Sequence, residues 1–256
     1  MTVIATDKWL EKDYDNPHHL YKKLSSYFNR ANPEEVASLL TQHGMYQKPV
    51  ANSESLLQSY QEKNVWQIVN QEEQTLKRQW NGQNVSIFIL PSNTYNRKIM
   101  HHYNGKSGLA FKDKLFLFIS EDTSETELKA LFTHEYNHCC RLKKDPKNEE
   151  DYQLLDAIIL EGLAENAVHE RFGKKYLAPW TSYYSTDVLN DIWKNLIKPN
   201  KDLTRTSRKH NQLLYGTNFY PKMAGYSVGY FLVNRYAEKT RKKSKDLFVT
   251  PSEEMV

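Results

Sequence analysis

The sequence holds two cysteines, Cys139 and Cys140, and they are neighbours. Adjacent positions on a helix point about 100° apart and do not readily bond to each other. A disulfide framework is thereby excluded, and a reduced, cytoplasmic protein is expected. Glycine and proline are scarce, nine of each in 256 residues, which disfavours a turn-rich all-β fold. No apolar run approaches the ~20 residues that span a bilayer. Met1 to Lys8 shows no basic stretch leading into an apolar one, so neither a membrane partner nor a signal peptide is expected. Charge of one sign is missing as well. The formal net charge is +4, lysine and arginine are spread along the chain, and the one dense run, Lys239 to Lys245, suits a solvated helix end. A nucleic-acid binder gathers its basic residues into a patch, so no nucleic-acid partner is expected.

What is abundant is leucine, lysine, glutamate and glutamine, the residues of a helix-dominated chain. In the first third, Leu20, Leu24 and Phe28 recur at i, i+4 spacing. Pro33-Glu34-Glu35 reads as a first helical turn, and Ser53 to Trp80 is a long stretch without glycine or proline. Val85 to Leu90 then reads as a strand stopped by Pro91. Leu115 to Ile119 is continuously apolar and is expected at the centre of a sheet. Gly108 to Phe111 is a candidate edge strand paired with it across Lys112-Asp113-Lys114. From about residue 123 helix returns. The expectation is an α+β fold with a helical N-terminal region, residues 1–83, and a second region, 84–256, holding a small mixed sheet and a helical half.

The chemistry concentrates in His134-Glu135-Tyr136-Asn137-His138. Ser124 and Glu127 fit a capping box that starts this helix. Histidines four residues apart project from one helical face about a turn apart, and two imidazoles so placed can bind one Zn²⁺ at ~2.0–2.1 Å. Glu135 stands about 100° round from His134, within reach of an activated water but badly placed to act as a ligand. A catalytic zinc wants three protein ligands and one open position. The next helix, read from Asp151 to Phe172 with Gly173 at its end, offers Glu161 as the third. Gly162 and Ala164 are expected to let that helix approach the histidine helix closely, and Glu165, one turn on, is a candidate acceptor for a ligating histidine's second N–H. The pattern points to a zinc-dependent hydrolase, with His134, His138 and Glu161 on the metal and Glu135 as general base.

The pair of motifs, His134-Glu135-Tyr136-Asn137-His138 and, with 22 residues between, Glu161-Gly162-Leu163-Ala164-Glu165, resembles the YjaZ-type bacterial family of predicted zinc-dependent proteases. Ala224 to Tyr230 and the closing Leu247 to Met255 segment are similar too, so the resemblance covers about residues 85 to 256. More distantly, two histidines and a glutamate on two helices resemble the glutamate-zincins such as thermolysin. The resemblance implies that 84–256 is a zincin-like metallopeptidase domain with an edge strand above the metal helix, acting on a peptide or protein substrate.

A donor for the oxyanion formed during such hydrolysis is expected, and Tyr226, Tyr230 and His210 are the candidates. Cys139 and Cys140 point away from the histidine pair and read as small buried hydrophobes. His101-His102 and His18-His19 read as solvated, and His169 lies two turns after Glu161. The alternative to an enzyme is a zinc-binding protein without catalysis, whose helical N-terminal region binds a partner; against it, no fourth ligand of a closed structural site is evident. Substrate identity, endo- or exopeptidase mode and oligomeric state are not written in the sequence.

Overall fold

In a computed structural model, residues 2–49, 53–97, 99–100, 105–145 and 147–256 are described. Packing divides the chain into two compact units, Met1–Tyr136 and Asn137–Val256.

The first unit begins with helices α1 (Thr6–Asp13), α2 (Pro17–Ser25), α3 (Pro33–Gln42), α4 (Ser53–Glu62) and α5 (Val65–Trp80). Helix α3 starts as its residues dictate: Pro33 occupies the first turn and the Asn32 side chain accepts the Glu34 N–H at 2.9 Å. The proline-free stretch from Ser53 to Trp80 is not one helix, because Asn64 adopts φ 52° and turns the chain between α4 and α5.

Strands β1 (Ser86–Pro91), β2 (Ser107–Ala110) and β3 (Lys114–Ile119) form one mixed sheet in the order β1-β3-β2. The continuously apolar strand is the central one: β3 is buried along its length, parallel to β1 (Ile87 opposite Leu115) and antiparallel to β2 (Leu109 opposite Phe116). Phe88 and Phe116 stack at 4.8 Å across the parallel pair. The N-terminal residues join this core directly. Val3 bridges Ile87 on the outer side of β1, Thr6 Oγ1 donates to Ile89 O at 2.7 Å, and Tyr60 Oη donates to Ile119 O at 2.6 Å. Strand β2 is the half-buried edge, as its short length and small residues suggest.

Helix α6 (Glu125–Lys144) contains the boundary between the units. Its start is the expected capping box: the Ser124 N–H donates to Glu127 Oε2 at 3.0 Å and the Glu127 N–H to Ser124 Oγ at 3.4 Å. The second unit continues with α7 (Leu154–Phe172), α8 (Thr186–Ile192), α9 (Arg208–Tyr215), α10 (Ala224–Thr240) and α11 (Ser244–Leu247). Ile158, Leu163, Leu213, Val228 and Leu232 form its buried centre. Helices α7 and α10 touch backbone to backbone, since a Cβ on Gly162 would stand 2.3 Å from Gly229 O and one on Gly229 1.9 Å from Ile158 O. Gly162 therefore serves the approach of α10, where the sequence suggested the histidine helix. Gly229 on α10 is its partner. The α+β expectation, helix-dominated with a small mixed sheet, matches this structure. No helix among the described residues is long and apolar enough to cross a membrane.

Candidate metal centre

The histidine helix is held by the residue between its two catalytic-looking neighbours. Tyr136 is fully buried, stacks on Phe132 at 5.4 Å and on Trp80 at 6.0 Å, and donates its hydroxyl to Gln83 O at 2.8 Å. Gly82 leaves the room for that hydroxyl, because a Cβ there would stand 2.3 Å from it. With Tyr136 pointing into the core, His134 and His138 point elsewhere, on a common face. Cys139 and Cys140 are both buried, as small hydrophobes should be.

His134, His138 and Glu161 each bring one ligand atom into a group whose atoms lie within 4.8 Å of one another, the one such group of three among the described residues. His138 Nε2 and Glu161 Oε2 are 3.7 Å apart. Three ligands on one tetrahedral zinc stand about 3.4 Å from each other, so the set closes on an ion with small side-chain movements. Two imidazole nitrogens and a carboxylate oxygen are also the donor types of a catalytic rather than a structural zinc. The residues fit the metal. His138 is buried, while His134 and Glu161 are half-buried, which leaves one side of the group within reach of solvent.

Glu135 is buried and lies against strand β2. A Cβ on Gly108 would stand 2.3 Å from Glu135 Oε1, so the glycine in this strand makes room for the carboxylate. The strand is tied to the same helix two turns earlier, where Lys106 Nζ meets Glu127 Oε1 at 3.1 Å. Burial pushes the Glu127 carboxyl up, but the hydrogen bonds from Ser124 and the charge and hydrogen bond of Lys106 outweigh it and bring its pKa down to about 2.

Of the other sequence candidates, Glu165 is buried and accepts the Ala178 N–H at 3.0 Å. Tyr230 lends its hydroxyl to His169 Nδ1 at 3.0 Å, and burial, with the carboxylates Glu165 and Glu238, pushes its pKa up to about 12. His210 is buried with Nδ1 on Asn211 Oδ1 at 3.0 Å, and that burial pulls its pKa down. Tyr226 packs edge-on against Trp180 at 5.2 Å and lies beside Tyr215 at 5.6 Å, its hydroxyl bonded to that of Tyr215. Tyr215 was not among the sequence candidates. It closes α9, keeps 41% of its surface exposed, and its pKa is raised first by burial of its hydroxyl and then by the charge of Glu161. Only its place just before Gly216 marks it, and that signals a helix end rather than a site. His19 is exposed, as expected, while His18 is half-buried, and His101 and His102 lie outside the described residues.

Comparison with known proteins agrees with this geometry. The sequence model of a family described as "Predicted Zn-dependent protease (DUF2268)" matches residues 65–256. The chain is 39% identical to a Bacillus subtilis protein, "Uncharacterized protein YjaZ", over 99% of its own length and 97% of that relative's. It is also 27% identical to "Uncharacterized protein YjfC" of the same bacterium, over 43% of this chain and 39% of the relative. No solved structure gives a significant match.

Proposed function

The chain belongs to the DUF2268 family of predicted Zn-dependent proteases, and from that premise we propose that it is a zinc metallopeptidase of zincin-like fold, with His134, His138 and Glu161 as metal ligands and Glu135 as general base. One observation carries the reading. The three donors converge from two helices while the neighbouring carboxylate, Glu135, stands under an edge strand instead of joining them.

A zinc ion held by His134, His138 and Glu161 would polarise a peptide carbonyl and acidify a water enough to lose its proton near neutral pH. Glu135 takes that proton and delivers it to the leaving amine nitrogen. Its enclosure beneath β2 fixes the carboxylate in one place and keeps competing solvent away. The outer side of β2, which pairs with no other strand among the described residues, offers N–H and C=O groups to an extended peptide backbone. Tyr215, hydrogen-bonded to Tyr226 and with its pKa raised in part by the charge of Glu161, is our candidate donor to the developing oxyanion.

Glu135→Gln tests the assignment. The variant should bind zinc as the natural chain does and lose hydrolysis of a peptide substrate by a factor of at least about 10². Full activity in that variant would remove Glu135 from the mechanism, and absence of bound zinc in the natural chain would remove the metal.

A further inference from the structure

The closing segment belongs to no part of the chemistry above, yet side-chain hydrogen bonds tie it to two helices of the second unit. Its anchor is Arg141, 2% exposed and one turn beyond His138 on α6. The guanidinium donates to Phe248 O and Thr250 O at 2.8 Å each, to Leu247 O at 3.4 Å and to Ser252 Oγ at 3.5 Å, and pairs with Asp145 at 2.9 Å. A planar fork with five donors suits such a set of backbone oxygens, and an ammonium group does not. The segment then reaches α7 on both sides of Glu161. Before it, Ser252 Oγ donates to Asp156 Oδ1 at 2.8 Å; after it, Ser244 donates through N and Oγ to Glu170 Oε2 at 3.0 and 2.8 Å, and Asn166 Nδ2 donates to Ser244 Oγ at 3.3 Å. Leu247, Phe248 and Met255 are buried beneath it.

We propose that Ser244–Met255 is a strap that fixes the spacing of the two ligand-bearing helices, with Arg141 as its positioning residue, so that zinc affinity depends on contacts made by the end of the chain. The proposal rests on the metal reading given above. His138 and Glu161 are donors that must meet across α6 and α7, and the strap bonds to both helices within about two turns of that pair. Rigid support of this kind is what holds ligands at a separation an ion can bridge. Arg141, Asp156, Asn166, Ser244 and Ser252 are buried, so removal of one of them leaves another unsatisfied and lets the helices adjust.

The test uses the full-length chain and zinc alone, with affinity read by chelator competition and geometry by the visible spectrum of the cobalt-substituted protein. Arg141→Lys should weaken zinc binding by about 10- to 100-fold and alter the cobalt spectrum. Ser252→Ala, which cuts the hydrogen bond to the Asp156 carboxylate on α7, should weaken it about fivefold and fold normally. Leu189→Ala, a core truncation on α8, should lower the melting temperature and leave zinc affinity unchanged, which separates positioning from general destabilisation. Unchanged zinc affinity in folded Arg141→Lys, or in Ser252→Ala alone if the lysine variant does not fold, would overturn the strap and leave the metal reading intact. A natural chain that takes up no zinc would overturn both.

Discussion

Replacing Gly108 by alanine should disable the general base while leaving the metal ligands alone. The added methyl would fall 2.3 Å from Glu135 Oε1, 2.4 Å from Cδ and 2.5 Å from Cγ, where real Cβ atoms keep at least 3.0 Å. The backbone at Gly108 is not in the left-handed region, so alanine brings no strain of its own and the collision is the whole effect. Either the strand lifts or the carboxylate turns away, and ordinary van der Waals contact is restored only after a shift of about 1 Å. A misplacement of that size costs a catalytic group roughly 10²-fold in rate, and overpacking costs about 1–3 kcal/mol of stability. The measurements are zinc content, thermal melting and steady-state kinetics on a peptide substrate. The expected result is unchanged zinc stoichiometry, a lower melting temperature and a fall in kcat of about 100-fold. Natural kcat in Gly108→Ala would refute the placement of Glu135 as base. So would loss of zinc in step with activity, because the perturbation touches none of the three ligands.

Gly162→Ala should be more damaging to the fold, since its methyl meets the Gly229 carbonyl oxygen at 2.3 Å and backbone cannot swing aside. A loss of about 2–4 kcal/mol in chemical denaturation is expected, with weaker zinc binding because Glu161 is its neighbour; a loss below about 0.5 kcal/mol would show that α7 and α10 are not so closely packed. Tyr215→Phe should lower kcat by about 10²-fold with zinc retained, whereas Tyr230→Phe and His210→Asn should not. Equal losses in all three would discard Tyr215 as the donor. Acid stability should report on Glu127, whose folded pKa of about 2 lies below its ordinary 4.5. Its contribution is complete above about pH 4.5 and disappears as pH falls toward 2. In urea titrations between pH 5 and 2, the natural chain should therefore lose more stability than Glu127→Gln, and parallel curves would contradict the depressed pKa.

What was legible in the sequence was local. The i, i+4 spacing of His134 and His138 follows from helix geometry alone, and the capping box at Ser124 and Glu127 is a four-residue signal. Strand β3 announced its central position because burial on both faces demands an unbroken apolar run. Glu161 emerged because a short connection restricts where the next helix can place an acid. The strap was not legible as a support. Arg141 spends its donors on carbonyls more than a hundred residues away, and backbone oxygens carry no residue code. The union of the N-terminal helices with the sheet was hidden for the same reason, since the bridge from Val3 to Ile87 is made by backbone. Gly162 signals a close approach without saying what approaches, and the helix it admits is α10.

The open side of β2 has a cost apart from its use. A row of unpaired N–H and C=O groups that can accept a peptide can accept another copy of itself, and exposed edges of this sort seed aggregation. The chain contains the hazard by economy: the strand has four residues, begins after Lys106, includes a glycine and is followed by the exposed Lys112. Those lysines act as gatekeepers against edge-to-edge growth. An attempt to improve substrate grip by lengthening β2 or making it more apolar would therefore be felt first as insolubility during expression.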